Sequence, residues 1–214
     1  MTASLAAVYI VTTFFPLTPF IGGPGFITFE IVILPVIAAV LRPPLASSAV
    51  LVGSIGMALG QPSFYRVFGL PGLLIPVIAV ALGSLGFHYR WGPLFPWTYV
   101  TSGAAYYLAF SGGTVIWLIP YAIVILSLPL ALKSTTPYRI GLLALYTAMC
   151  EQVTINVLSI SLLGLVGTVW LGITPFMFSE RAVATFGGAS IIVALKSRLG
   201  TRIGLGDRVQ REVK

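Results

Sequence analysis

Charged side chains are almost missing from this chain, and their scarcity constrains the fold more than any other feature. Asp, Glu, Lys and Arg together make up 8% of the 214 residues, whereas hydrophobic residues make up 57%. A soluble domain carries about 25% charged residues. Because so few charges cannot cover a solvated surface, the composition predicts an all-α polytopic integral membrane protein.

Hydrophobic runs separated by Pro and Gly predict a bundle of eight transmembrane helices. Their approximate ranges are 3–20, 27–41, 46–60, 69–87, 94–111, 114–132, 140–165 and 174–197. Several are shorter than the roughly 20 residues that a full crossing needs. The alternative is therefore six spans, with two segments within 92–133 re-entrant or interfacial. Residues 1–200 are expected to form one helical domain, followed by a basic cytoplasmic tail at 201–214.

The distribution of basic residues predicts the orientation. With the N-terminus in the cytoplasm, only two of the twelve Lys and Arg residues, Arg66 and Arg181, fall on the outer side. Such an excess of inner positive charge is the usual signature of membrane topology. We therefore expect a multi-pass protein of the plasma membrane with both termini in the cytoplasm.

Polar side chains interrupt the apolar segments at a few places. Of the five acidic residues, Glu30, Glu151 and Glu180 lie in or beside predicted spans. An ionisable group at the bilayer centre costs roughly 2.5–3.5 kcal/mol on insertion scales, so it usually faces a bundle interior or a cavity. With the predicted topology, these groups lie from mid-membrane outward.

The stretch AMCEQVTINVLSIS, residues 148–161, holds the densest polar group. On a helix, one face combines Thr147, Glu151 and Thr154, and the adjacent face combines Gln152, Asn156 and Ser159. This broad stripe is expected either to line a ligand cavity or to form hydrogen bonds to neighbouring helices. Arg181 is a candidate to neutralise Glu151 or Glu30 across the bundle.

These observations define a candidate substrate-binding site in the outer half of the bundle. Its aromatic members are expected to stack on a ligand, or else to anchor the helices at the membrane interface. Buried carboxylates favour a cationic or donor-rich ligand, although Arg181 weakens that argument. The predicted site residues are Glu151, Asn156, Gln152, Glu30, Glu180, Arg181, Trp97 and Tyr107.

The sequence offers little support for catalysis or for a cofactor. It contains one histidine, His88, one cysteine, Cys150, and no aspartate in any predicted span. Neither a disulfide nor a cysteine metal site can form within one chain. No GxxxxGK[ST] phosphate loop is present. We therefore expect no enzymatic activity, no bound cofactor or metal, and no nucleic-acid partner.

Small residues four positions apart indicate close helix packing. Ala49 and Gly53 show this spacing, as do Gly56 and Gly60, and Ala184 and Gly188. Packing within the chain is the expected role of these pairs.

Three stretches resemble the substrate-binding S-component of energy-coupling factor transporters. They are ASLAAVYIVTTFF, GGPGFITFEIVILPVIAAVLRPPLASSAVLVGSIGMALG and TPFMFSERAVATFGGASIIVALKSRLG, which lie within residues 3–60 and 172–200. The resemblance implies a vitamin-binding membrane subunit whose site is capped by the connection between its first two helices. It also implies that Ala3 and Ala7 contact a transmembrane coupling subunit, and that cytoplasmic ATPases supply the energy.

Two other functions are compatible with the sequence. The first is a non-catalytic subunit of a larger membrane complex, such as a respiratory assembly. The second is an enzyme of lipid metabolism that uses Glu151 as a base. The charge-free connection PFIGGPGF, residues 19–26, is expected to be a turn between two helices, with a compact lid as the alternative.

Overall fold

The computed structural model describes residues 1–20, 26–60, 67–133 and 136–199. These residues form a helical bundle with one small β-hairpin. The helices are α1 Thr2–Thr12, α2 Glu30–Val40, α3 Pro43–Gly60, α4 Leu70–His88, α5 Leu94–Phe110, α6 Ile119–Leu126, α7 Leu128–Lys133, α8 Thr136–Leu163 and α9 Val169–Leu199. A 3₁₀ turn at Val115–Leu118 leads into α6, and the strands are β1 Pro16–Pro19 and β2 Phe26–Thr28.

Four helical segments of the described chain are long and apolar enough to cross a membrane. They are Leu70–His88, Val115–Lys133, Pro137–Leu163 and Val169–Arg198. The predicted helical architecture is confirmed, and so is the presence of apolar helices of membrane-spanning length. Since α1, α2 and α3 are shorter, the number of crossings and the side of each terminus stay predictions.

Helices α2 and α8 occupy the centre of the bundle. Every residue from Glu30 to Ala39 in α2 is buried, because this helix is apolar on all sides and can be surrounded by others. α2 packs against α4, α8 and α9, while α8 packs against α4, α5 and α9. The polar positions of α8 are therefore enclosed by other helices.

The first predicted span, 3–20, is wrong in its second half. α1 ends at Thr12, and the chain continues as β1. The hydroxyls of Thr12 and Thr13 donate to the carbonyls of Tyr9 and Ile10, and such local bonds compete with helix propagation. Pro16 then ends the helical path, because it has no N–H and restricts the residue before it.

The connection between the first two helices is a hairpin rather than a simple turn. β1 and β2 pair antiparallel, with Pro16 opposite Thr28 and Pro19 opposite Phe26, and the register is irregular between Pro16 and Thr18. Residues 21–25 at its tip lie outside the described residues. We call the end of the bundle that carries this structure the hairpin end.

Gly53 and Gly188 of the predicted small-residue pairs contact other helices of the same chain, as predicted. A Cβ atom at Gly53 would lie 2.5 Å from the Tyr9 ring, so α1 and α3 approach closely. A Cβ atom at Gly188 would lie 3.1 Å from Pro35, which brings α9 against α2. Close backbone approach at small residues is the usual means of packing helices in a membrane.

Some predicted features fall on parts of the chain outside the described residues. These are Arg66, which the topology placed on the outer side, and the basic tail at 201–214.

Candidate ligand-binding site

The first face of the predicted polar stripe serves partly as a contact between helices. The hydroxyls of Thr147 and Thr154 donate to carbonyls one turn earlier in α8, those of Leu143 and Cys150, at 2.8 and 2.9 Å. The hydroxyl of Tyr99 on α5 lies 2.9 Å from that of Thr154. Part of this stripe therefore joins α8 to its neighbour, which was one of the two predicted roles.

A buried ion pair links α8 to α9. Arg181 Nη1 lies 2.7 Å from the Glu151 carboxylate and donates to the Ala148 carbonyl at 2.8 Å. The predicted neutralisation across the bundle thus takes place at Glu151. Since charge-assisted hydrogen bonds of this length are strong, Glu151 is held by Arg181.

Glu180 connects the hairpin to this ion pair. The Thr18 hydroxyl of β1 donates to Glu180 Oε1. The other carboxylate oxygen, Oε2, lies 3.5 Å from Arg181 Nη2. The contact with Arg181 is longer than that of Glu151, so Glu180 is the more weakly neutralised of the two carboxylates.

The buried charges of the described residues do not balance. Of the described Asp, Glu, Lys and Arg side chains, four are buried: Glu30 at 9% exposure, Glu151 at 4%, Glu180 at 6% and Arg181 at 2%. Glu30 has no described cation within ion-pair distance, and its Oε2 has no hydrogen-bond partner among the described residues. Fully ionised, the group would hold three negative charges and one positive charge.

The second face of the stripe forms an amide network. Oriented to satisfy both of its polar atoms, Asn156 accepts from Tyr121 Oη at 2.5 Å and from Trp117 Nε1 at 2.9 Å. The side-chain amides of Gln152 and Asn156 lie 2.8 Å apart. Asn156 therefore fixes one tryptophan and one tyrosine from the 115–133 segment against α8.

A cavity of about 460 Å³, partly open to its surroundings, lies beside this network at the hairpin end. Pro19, Phe20 and Ile27 of the hairpin region line it, together with residues of α8 and α9. The polar lining consists of Gln152, Asn156, Ser159 and Glu180, and the aromatic lining of Phe20, Trp117, Trp170 and Phe176. Its lining combines a few polar groups with apolar and aromatic side chains, as the linings of small-molecule sites do.

Three aromatic rings form a rigid wall for the cavity. The rings of Trp117 and Trp170 cross edge to face with centroids 5.0 Å apart. Tyr107 packs behind both, at 6.1 Å from Trp117 and 5.2 Å from Trp170. Gly113 lies so close to Tyr107 and Trp170 that a side chain there would displace them. The two indole rings, each 1% exposed, are thus held in place by protein contacts.

The six polar and charged residues of the predicted site divide into two groups. Gln152, Asn156 and Glu180 line the cavity. Glu151, Arg181 and Glu30 lie outside its lining, as members of the buried charged group.

The two predicted aromatic residues have structural contacts instead. Trp97 does not line the cavity. Its indole N–H donates to the Ile125 carbonyl at 3.0 Å, which joins α5 to α6. Tyr107 supports the wall, and its hydroxyl donates to the Thr114 carbonyl at 3.2 Å.

Sequence reasoning missed the residues that supply the apolar surface of the site. Trp170 is the second residue of α9, after a loop with two positive-φ glycines, Gly164 and Gly167, and it resembles an interfacial anchor in sequence. Phe20 follows a Pro-rich strand that had been assigned to a helix. A signal was present for Ser159, which shares the polar face of Gln152 and Asn156.

The predicted partner surface is accessible. Ala3 and Ala7 are both exposed on α1, beside the face that buries Ala6 and Tyr9. Their role in contacting a coupling subunit stays a prediction. Among the described residues, no group of three or more His, Cys, Asp or Glu side chains is arranged to hold a metal ion.

Comparisons with known proteins add no assignment. No protein family, no curated protein and no solved structure matches this chain. The function is therefore argued from the geometry of the cavity.

Proposed function

We propose that this chain is a membrane-embedded binding protein that takes a small molecule into the cavity at the hairpin end. The observation that carries the proposal is the lining of that cavity. It combines two carboxamides, a hydroxyl and a carboxylate with aromatic and aliphatic side chains, which is the mixture of apolar surface and few polar groups typical of ligand sites. Helix packing alone does not require such a combination beside an unfilled space.

We further propose that the protein acts in uptake, as the substrate-binding subunit of an energy-coupling factor transporter. The support is the hairpin between α1 and α2, whose Pro19, Phe20 and Ile27 cover the cavity. Such a cover suits a protein that captures a molecule on one side of the membrane and releases it after a conformational change. With the predicted orientation, the cavity faces outward.

The sequence contains no phosphate loop for ATP hydrolysis, so this function requires partner proteins. We propose a transmembrane coupling subunit that contacts the exposed Ala3 and Ala7, together with cytoplasmic ATPases. The protein itself would not be an enzyme, and its location would be the plasma membrane. Affinity purification from native membranes tests this assembly: ATPases that co-purify support it, whereas redox subunits would favour membership of a respiratory complex.

Binding is tested directly with purified protein in detergent. Isothermal titration with a panel of vitamins and small polar metabolites should identify at least one ligand. Ile173 lines the cavity on α9, so Ile173→Trp should fill the space and abolish binding. The matched control is Val193→Trp on the outer surface of the same helix, which should bind normally. Equal affinity in both variants would place the ligand elsewhere.

A further inference from the structure

We infer that the ligand of this cavity is a small organic cation with a flat or apolar body. This inference rests on the proposed binding function and names the chemical class that the site selects. Its two grounds are independent: the charge of the buried side chains and the aromatic character of the wall.

The first ground is the imbalance of buried charge. Three carboxylates, Glu30, Glu151 and Glu180, are buried in the described bundle together with one guanidinium, that of Arg181, which contacts only Glu151 and Glu180. Burying an unpaired charge away from water is costly, so such groups are paired or change their protonation state. A cation that enters the bundle is one means of restoring the balance, and a proton is the other.

The position of Glu180 favours a bound cation over a proton as the group that restores the balance of charge. It lines the cavity, whereas Glu30 and Glu151 do not. Arg181 is held at 2.7 Å by Glu151 and stands 3.5 Å from Glu180. Of the two carboxylates that contact Arg181, the one with the longer contact is therefore the one that lines the cavity.

The second ground is the composition of the wall. Trp117 and Trp170 line the same cavity as Glu180, and the indole face is the strongest aromatic partner of a cation. The wall is rigid, since Tyr107 packs against both rings. A carboxylate and two indole rings in one lining favour a cation over a neutral molecule of the same shape.

Two pairs of compounds that differ mainly in charge provide the test. The first pair is 1-methylnicotinamide and its neutral isostere 3-methylbenzamide, and the second is benzylammonium and benzyl alcohol. Titration into the full-length protein should show the cation of at least one pair binding about tenfold tighter than its neutral partner. Equal or tighter binding of the neutral compounds overturns the inference and leaves the proposed binding function standing.

Two carboxylate variants locate the charge preference. Glu180→Gln keeps the shape of the side chain but removes the charge in the lining. The cation and its neutral partner should then bind with about equal affinity. The control Glu30→Gln removes an equally buried carboxylate outside the lining and should retain most of the preference. The opposite pattern overturns the assignment of Glu180. If Glu180→Gln does not fold, the wild-type comparison of the four compounds still decides.

The molecule that the purified protein retains provides a second readout. If none of the four compounds binds, denaturing mass spectrometry of the wild-type protein gives the formal charge of its bound molecule. A cation supports the inference, and a neutral or anionic molecule overturns it. If no molecule is retained and no member of the metabolite panel binds, both the inference and the proposed function fail.

Discussion

Among single side chains, Arg181 has the most demanding environment in the bundle. It is buried, yet it is the sole buried cation among the described residues and serves two carboxylates. The cost of burying a charge is recovered only when a partner is close and well oriented. Its contact with Glu151 at 2.7 Å satisfies that condition.

Removing Arg181 should destabilise the protein strongly. We expect Arg181→Leu to lower the free energy of unfolding by about 3–5 kcal/mol, because Glu151 is left as an unpaired buried charge. The double variant Glu151→Leu/Arg181→Leu should recover most of that loss. Denaturant unfolding in detergent measures both. If the double variant loses as much stability as Arg181→Leu and Glu151→Leu lose together when measured singly, the ion pair is not the source of the stability.

For single side chains, the sequence predicted which charged residues are buried better than it predicted which residues they contact. Glu30, Glu151, Glu180 and Arg181 stood out because charges are rare in spans, and all four are buried. Which carboxylate Arg181 contacts depends on how α8 and α9 are rotated against each other. That rotation is set by packing across the bundle, which no local pattern in the sequence encodes.

Among the helices, α5 and α8 come unusually close. A Cβ atom at Gly103 would lie 2.5 Å from the Val153 side chain, whereas one at Gly141 on α8 would meet nothing within 4 Å. We expect Gly103→Ala to cost about 1–3 kcal/mol of unfolding free energy, because it overpacks the contact. Gly141→Ala should instead stabilise by up to about 1 kcal/mol, since Ala is the better helix former.

Thermal unfolding of these two variants provides the comparison. The chemistry of the substitution is the same and only the surroundings differ. Opposite signs are predicted, and a stabilising Gly103→Ala would contradict the close approach of α5 and α8.

The hairpin is held to α9 through one side-chain contact that can be removed without changing its shape. Thr18→Val deletes the hydroxyl that donates to Glu180. A hydrogen bond to a charged group contributes about 1.5–3 kcal/mol, so backbone amides of residues 26–28 should exchange with deuterium at least about tenfold faster. Thr12→Val is the control, because the Thr12 hydroxyl bonds only within α1. Unchanged exchange in Thr18→Val would mean that other contacts hold the hairpin.

Element boundaries could be predicted well where apolar runs end at Pro, Gly or charge. The segment 94–111 matches α5, Leu94–Phe110, and 69–87 matches α4, Leu70–His88. The hairpin was missed because Phe14, Phe15, Leu17 and Phe20 continue the apolar run of α1. Hydropathy alone cannot separate such an extension from a strand, and only the two prolines of β1 distinguish it.

For the whole molecule, the predicted orientation places the hairpin end outside the cell. Val115 lies near the hairpin end, and its side chain is exposed. Tyr89 follows the C-terminal end of α4, and its side chain is exposed too. A membrane-impermeant maleimide should label Val115→Cys in intact cells and Tyr89→Cys only after permeabilisation. The native Cys150 is buried, so the wild-type protein should remain unlabelled. The reverse labelling pattern would invert the topology and place the cavity on the cytoplasmic side.

The proposed partner surface belongs to the same scale. Ala3→Trp and Ala7→Trp should reduce co-purification of a coupling subunit and ATPases, because bulky side chains prevent close helix approach. Ala105→Trp, at an exposed alanine of α5, is the matched control and should leave the assembly intact. Equal recovery of partners in all three variants would remove α1 from the interface.

The central claim is that the cavity at the hairpin end holds a small molecule, and mass spectrometry of the purified protein tests it most directly. Wild-type protein and Val193→Trp should each release the same compound on denaturation, in a ratio approaching one per chain. Ile173→Trp, which fills the cavity, should release none. Release of the compound from Ile173→Trp at the wild-type ratio would contradict the claim.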